Sequence, residues 1–210
     1  ICHVGHVPYE DIEYDSRFLE GAILVYLKKL GVVAPNKPER TEMGSNREKF
    51  TGAYVQDPQR GKHDWVYDLD ITSMYPSIIM SLNISPETKL GKVVGWNAEE
   101  FISKKNKTYS IVMNGKKQGQ LTETELQDYF DKNHVSISSN GILYRTDKQG
   151  LIPTLLSSWF DKRKEFRKLA KKFGDEGDDE QYGYFNRRQH IQKIVLNSMY
   201  GVLGLPVFRF

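Results

Sequence analysis

The stretch "DLDITSMYPSII" (residues 68–79) decides the reading of this chain. It sets two aspartates, a small polar cluster, a tyrosine and a proline between two apolar runs. "WVYDLD" (65–70) alternates, with Trp65, Tyr67 and Leu69 on one face and Val66, Asp68 and Asp70 on the other, and so predicts a strand. "PSIIMSLN" (76–83) opens on Pro76, whose missing N–H and fixed φ suit the first turn of a helix. A strand-to-helix junction is therefore expected. It would put Asp70 at a strand end beside a helix N-terminus. A carboxylate there can hold a hard cation, and Mg2+ commonly takes one or two carboxylates plus substrate phosphates. The N–H groups of Ser73, Met74 and Tyr75 could meet phosphate oxygens at the positive helix end, and the Tyr75 ring offers a flat wall for a sugar. A lone Asp before a helix is more often a cap or a turn residue, so this stretch does not settle its own function.

Outward from the junction the chain reads as alternating helices and short strands. Residues 16–30 place Phe18, Leu19, Ala22, Ile23, Tyr26, Leu27 and Leu30 on one helical stripe that Gly31 would close. "VVAPNKPERTEMGSNREKF" (32–50) reads as an irregular polar connection. Residues 85–134 predict short strands and a helix around "TETELQDYF", polar and peripheral. "VSISSNGILYRT" (135–146) predicts a hairpin with Asn140-Gly141 in a type I′ turn. A helix is expected from Pro153 to Gly174. A second is expected from about Tyr184 to Tyr200, with Ile191, Ile194, Val195 and Ser198 inward. The short acidic tip between them implies an antiparallel pair.

The totals restrict the class. With 210 residues, 39% hydrophobic and 27% charged, the chain is long enough for a packed core and is not a disordered polymer. No apolar run reaches the roughly 18 residues of a membrane span. A single cysteine, Cys2, excludes an internal disulfide framework, and the five histidines suggest no zinc site. The net charge of +3 does not by itself name a polyanion partner, but its distribution does more. "FDKRKEFRKLAKKF" (160–173) and "FNRRQHIQK" (185–193) concentrate cations. Arg163 and Arg167 share a face at i, i+4, as do Lys193, Asn197 and Tyr200 at i, i+4, i+7. Facing each other, these stripes could clamp a phosphate chain; an ordinary solvated surface is the plainer alternative.

Two motifs together carry a resemblance. "DLDITSMYPSII" resembles motif A of the family B DNA polymerases, D-x-x-S-L-Y-P-S-I-I, and "KIVLNSMYG" (193–201) resembles their motif B, K-x-x-x-N-S-x-Y-G. Met74 and Met199 stand where Leu is commoner, a swap that conserves volume. "FTGAYVQDP" (50–58) is similar to the family's segment between exonuclease and polymerase domains. "NISPET", "SSNGILYRTDKQGLIPT" and "DKRKEFR" look like the replicative polymerases of large tailed phages.

The resemblance implies an α+β fold: part of a palm, built as an antiparallel sheet with helices, plus a fingers subdomain of two antiparallel helices. It divides the chain into a connecting region (1–60), a palm portion with motif A (61–150) and fingers with motif B (151–210). It implies that Asp70 binds two catalytic Mg2+ ions with help from the Ile71 carbonyl, and that Ser73, Met74 and Tyr75 surround the triphosphate. Tyr75 would exclude a ribose 2′-hydroxyl. Arg163, Arg167 and Lys193 would grip phosphates, Lys193 as a catalytic group, while Asn197 lies beside the nucleotide and Tyr200 and Gly201 line the nascent base pair. Asp68 is left as a bystander.

The implied activity is template-directed DNA synthesis from deoxynucleoside triphosphates on a primer–template, in the cytoplasm (that of the host if viral). No D-T-D, the family's motif C, occurs before the sequence ends at "PVFRF", and no thumb segment is present. The chain is therefore expected to be a fragment or one half of a split enzyme, completed by a second polypeptide with motif C and thumb. A homodimer through an exposed sheet edge is also expected. A nucleotide- or DNA-binding module with no activity of its own is the alternative, and nothing resembles the insertions of protein-primed polymerases.

Overall fold

The computed structural model describes residues 1–37, 54–113, 115–205 and 208–209. Residues 38–50 of the expected polar connection, and the start of "FTGAYVQDP", lie outside them.

Two hydrophobic cores organise the chain. The first is helical. α1 (Cys2–Gly5) leans on α2 (Asp15–Leu30), and α2 and α3 (Met74–Ser81) each pack on α6 (Leu151–Asp175) and α7 (Asp179–Leu203). The stripe expected on α2 is the one that is buried, through Phe18, Leu19, Ala22, Ile23 and Leu27. Burying each of its larger side chains contributes about 1.5–3 kcal/mol. Gly31 ends the helix in the left-handed conformation (φ 67°), receiving the expected role of C-terminal cap. From α3 the core takes Ile79, from α6 Ile152, Leu155, Leu156 and Trp159, and from α7 Val195, Leu196, Met199 and Val202. Glu20, buried on α2, is held by Arg209 at 2.6 Å and Lys37 at 2.8 Å, which ties both flanking segments to this core.

The second core lies under a five-stranded antiparallel sheet of order β3-β2-β1-β5-β4. Its strands are β1 (Lys89–Val94), β2 (Thr108–Met113), β3 (Lys116–Thr122), β4 (Val135–Ile137) and β5 (Ile142–Arg145), with α4 (Ala98–Ile102) and α5 (Glu123–Asn133) beside them. Val93, Tyr109, Ile111, Leu126, Phe130, Val135 and Leu143 are buried there. Trp96 and Phe101 pack onto this group with ring centroids 4.9 Å apart. The stretch 85–134, expected to be peripheral, thus supplies most of a core of its own. Its polar surface hid an alternation in which few residues per strand turn inward. α5 begins in a capping box, Thr122 accepting from Glu125 N–H while the Glu125 carboxylate accepts from Thr122 N–H.

Four local expectations are corrected. The hairpin β4–β5 forms, but not through a type I′ turn. That turn needs positive φ at both central residues, and here only Gly141 (φ 82°) has it, not Asn140. A Ser138–Gly141 turn closes with Gly141 N–H on Ser138 O at 2.8 Å, and Ser138 Oγ donates to Asn140 Oδ1 at 2.6 Å. On α7, Ile194 faces outward (45% exposed) and Ser198 is only half buried; Gln192, Val195, Leu196, Met199 and Val202 form the inward face. The helix starts at Asp179, five residues earlier than expected, because the Asp178 carboxylate caps Gln181 N–H at 3.0 Å. Residues 65–70 form no strand: among the described residues nothing pairs with them, and Trp65 and Leu69 are 92% and 91% exposed. Alternation marks a segment that could be a strand, but a strand exists only where a neighbour accepts and donates its hydrogen bonds.

α6 and α7 pack along each other, joined by the short acidic tip expected from the sequence. Their outer ends are held by Phe173 stacked on Phe185, centroids 5.5 Å apart and 3° from parallel. Among the described residues no helix is long and apolar enough to cross a membrane.

Candidate active site

The two motifs meet where α3 crosses the α6–α7 pair. Pro76 stands in the first turn of α3, as its chemistry requires, and Ser73 precedes the helix in the left-handed conformation (φ 52°). That conformation costs a non-glycine residue about 1–2 kcal/mol. Ser73 makes no side-chain cap to its own helix. Its hydroxyl instead accepts a hydrogen bond from Arg163 Nη1 at 3.2 Å. With Pro76 lacking an N–H, the unpaired donors of the first turn belong to Met74 and Tyr75, and they open at the positive end of α3.

Arg163 is an unsettled cation. It is partly buried, its Nε has no hydrogen-bond partner among the described residues, and Arg167 lies one turn further along α6. Burial, then the like charge of Arg167, hold its guanidinium below its ordinary pKa. No ion pair to Arg163, Arg167 or Lys193 occurs among the described residues. A buried charge facing another of the same sign is stabilised by whatever anion enters between them.

From the other motif, Tyr200 lays its ring on that of Tyr75. The centroids are 4.2 Å apart and the planes 9° from parallel. Lys193 and Asn197 lie on the same exposed stripe of α7 as Tyr200. A Cβ added to Gly201 would meet nothing within 4 Å, so no packing contact demands glycine there. The structure therefore brings together Ser73, Tyr75, Arg163 and Tyr200. Among the described residues no hydrogen bond or ion pair joins Asp70 or Ile71 to them; both are exposed, as is Asp68, on the unpaired stretch that leads into α3.

As a cation site, Asp70 and the Ile71 carbonyl offer hard oxygen donors of the kind Mg2+ prefers, but only part of a six-oxygen shell. Among the described residues no group of three or more His, Cys, Asp or Glu gathers to complete one. The donor chemistry fits; the number of donors leaves room for phosphates, water and further carboxylates.

Sequence reading missed one part of the surroundings. Asn83, Ser85 and Glu87, just after α3, hydrogen-bond the first N–H groups of α6. "SPET" signals a local capping turn, and the Ser85–Thr88 box is there, but nothing in it names a helix 60 or more positions away. A cavity of about 750 Å³ lies behind this contact, lined by Leu30, Val33, Glu87, Arg145 and Leu151. It is not the place where the two motifs meet, which is an open surface.

A DNA polymerase of Archaeoglobus fulgidus is 26% identical over 206 residues, 97% of this chain and 20% of its own length. One from Thermococcus gorgonarius is 29% identical over 178 residues, 85% of this chain and 18% of its own. The solved family B DNA polymerase of Pyrobaculum calidifontis superposes with a TM-score of 0.63 at 26% identity, over 98% of this chain and 22% of that one. The chain thus spans about a fifth of the length of the relatives it matches. These relatives are archaeal, and the likeness to phage enzymes is not tested by them. The sequence model for DNA polymerase family B matches residues 13–210, and with the fold and both motifs in agreement, the chain belongs to DNA polymerase family B.

Proposed function

We propose that this chain is the palm–fingers portion of a DNA-directed DNA polymerase, joining deoxynucleoside triphosphates to a primer 3′-hydroxyl with release of pyrophosphate. The observation that supports it best is the meeting of motif A with motif B, Tyr75 stacked on Tyr200 and Ser73 bonded to Arg163. In this reading Arg163 exchanges its bond to Ser73 for a phosphate oxygen, relieving its buried and crowded charge. Arg167 and Lys193 neutralise the same phosphates, Lys193 also standing by the leaving group, and the Met74 and Tyr75 N–H groups bind at the helix end. Tyr75 blocks a 2′-hydroxyl, Asn197 lies beside the nucleotide, and Tyr200 with the bare backbone of Gly201 leaves room for the new base pair.

Asp70 and the Ile71 carbonyl would hold Mg2+, which when bound supplies activation of the attacking hydroxyl and charge stabilisation of the leaving oxygen. The division at residues 60/61 and 150/151 belongs to the same reading. So do the cytoplasmic setting (the host's, if viral) and a second carboxylate and duplex grip from outside this chain, on the same polypeptide or a separate one. A binding module inactive by itself is the second reading, favoured by one observation: Asp70 lies on an exposed, unpaired stretch.

Primer extension in the complete enzyme tests the first reading. Asp70→Ala is expected to abolish synthesis, losing at least about 10³-fold, as removal of a metal anchor does, while Asp68→Ala stays within about tenfold of wild type. The reverse order rejects the motif A assignment. Residues 1–210 alone are expected to extend no primer, and to do so only when a polypeptide with motif C and thumb is added.

A further inference from the structure

α6, the helix that carries Arg163, begins without a cap of its own. Its N-cap is Gly150, which has no side chain to bond the first amides. Every one of those amides is nonetheless satisfied, by side chains that follow α3. Gly150 N–H donates to Asn83 Oδ1 at 2.8 Å, Leu151 N–H to a Glu87 carboxylate oxygen, and Ile152 N–H to Ser85 Oγ at 3.3 Å. The next residue, Pro153, has no N–H to satisfy. A negative carboxylate at the positive end of a 25-residue helix adds to the attraction.

Asn83 occupies the joint between the two helices. It is the left-handed residue (φ 56°) that ends α3: its N–H bonds Met80 O at 3.3 Å and the Ile84 N–H bonds Ile79 O at 2.9 Å. Glycine is the usual residue at such an end. Asn is tolerated there, and here its amide is used in full. While Oδ1 holds α6, Nδ2 donates to Arg145 O at 2.6 Å and Lys148 O at 2.9 Å. Asn83 and Ser85 are 6% and 2% exposed, so their bonds to Gly150 and Ile152 are sheltered from solvent, while the Glu87–Leu151 bond is exposed.

α3 and the start of α6 are thus pinned at two places. The buried cap joins the end of α3 to the beginning of α6. At the other end of α3, the single bond from Arg163 to Ser73 spans the same pair. We infer that Asn83, Ser85 and Glu87 are positioning residues that set where Arg163 stands over the first turn of α3. Through it they set how tightly a triphosphate is gripped, though none of them reaches that site. The inference rests on the nucleotide reading above for its ligand, but not for the cap itself. The cap is the firm pin and Arg163–Ser73 the releasable one, so loosening the cap lets α6 drift and costs anion affinity.

Asn83→Gly is the informative variant, because glycine keeps the left-handed end of α3 and removes only the amide side chain. Glu87→Gln, which keeps the shape of the side chain and removes its charge, gives a milder second test. Inorganic tripolyphosphate, which needs only the cations, serves as probe on the full chain, with amide exchange read at Gly150, Leu151 and Ile152. Asn83→Gly is expected to speed exchange at those amides and to weaken tripolyphosphate about fivefold, as loss of a buried bond predicts. The loss should shrink to less than about twofold in the Arg163→Gln background, because coupled sites are not additive. Unchanged affinity in Asn83→Gly, or an equal loss in both backgrounds, overturns the positioning role and leaves the phosphate reading standing. Failure of the unmodified chain to bind tripolyphosphate removes the phosphate reading and this proposal with it.

Discussion

The stacked pair of Tyr75 and Tyr200 is the smallest unit with a functional consequence. An aromatic pair of this geometry contributes about 0.5–1.5 kcal/mol beyond its buried area. It also fixes the plane of Tyr75, whose edge would otherwise be free to turn about χ1 and χ2. If that ring is the wall against a ribose 2′-hydroxyl, discrimination depends on its bulk and not on its phenol oxygen. Tyr75→Phe is then expected to discriminate as wild type does, and Tyr75→Ala to favour ribonucleotides by about tenfold or more, roughly 1.4 kcal/mol. Competition between UTP and dTTP in the complete enzyme checks it. Unaltered discrimination in Tyr75→Ala rejects the wall. Helical spacing alone put Tyr200 on the stripe of Lys193 and Asn197, and that stripe is exposed. That Tyr200 would use its ring to hold another motif's tyrosine was not readable, because the contact depends on how α3 crosses α7.

At the scale of the element, α6 depends on how closely the 83–88 turn approaches its start. A Cβ on Gly150 would come within 2.7 Å of Ser85 Cβ and 2.9 Å of Thr88 Cγ2, both on rigid, buried side chains. The φ of −73° is ordinary, so space alone requires glycine. Gly150→Ala is expected to destabilise the fold by about 1–3 kcal/mol, the usual cost of overpacking, measured as a lowered urea midpoint with an unchanged slope. A midpoint equal to wild type would show that the turn yields and that the cap is looser than its geometry. Helix positions themselves were legible because the bonds that make a helix lie within it. α2 with its glycine stop, α3 with its early proline and the α6–α7 pair all follow from local pattern. The outward Ile194 was not, since α7 carries apolar residues on more than one side and only its neighbours decide which side is buried.

At the scale of the whole molecule, the stretch before α3 lacks a partner among the described residues. Residues 65–71 present Trp65, Val66, Tyr67, Leu69 and Ile71 to solvent, in a stretch whose backbone pairs with nothing among the described residues. Exposed apolar chain without a hydrogen-bonding neighbour can recruit a partner strand. The isolated chain is therefore expected to self-associate, with an apparent mass in sedimentation that rises with concentration. Leu69→Lys, a charge of the sort that guards natural sheet edges, should return it toward a monomer. A concentration-independent monomer would remove both the homodimer and the need for a completing strand.

The sequence by itself determined the family and the longer helices, because motif spacing and helix periodicity are local properties of the chain. Tertiary structure decided the rest: that 65–70 is no strand without a neighbour, that Gly141 turns the hairpin without a type I′ pair, that a polar stretch encloses a second core, and that α6 is capped from after α3. Apart from the hairpin turn, which closes within Ser138–Gly141, each of these rests on hydrogen bonds or packing between residues far apart in sequence. Their partners are chosen by the folded geometry and not by the residues on either side.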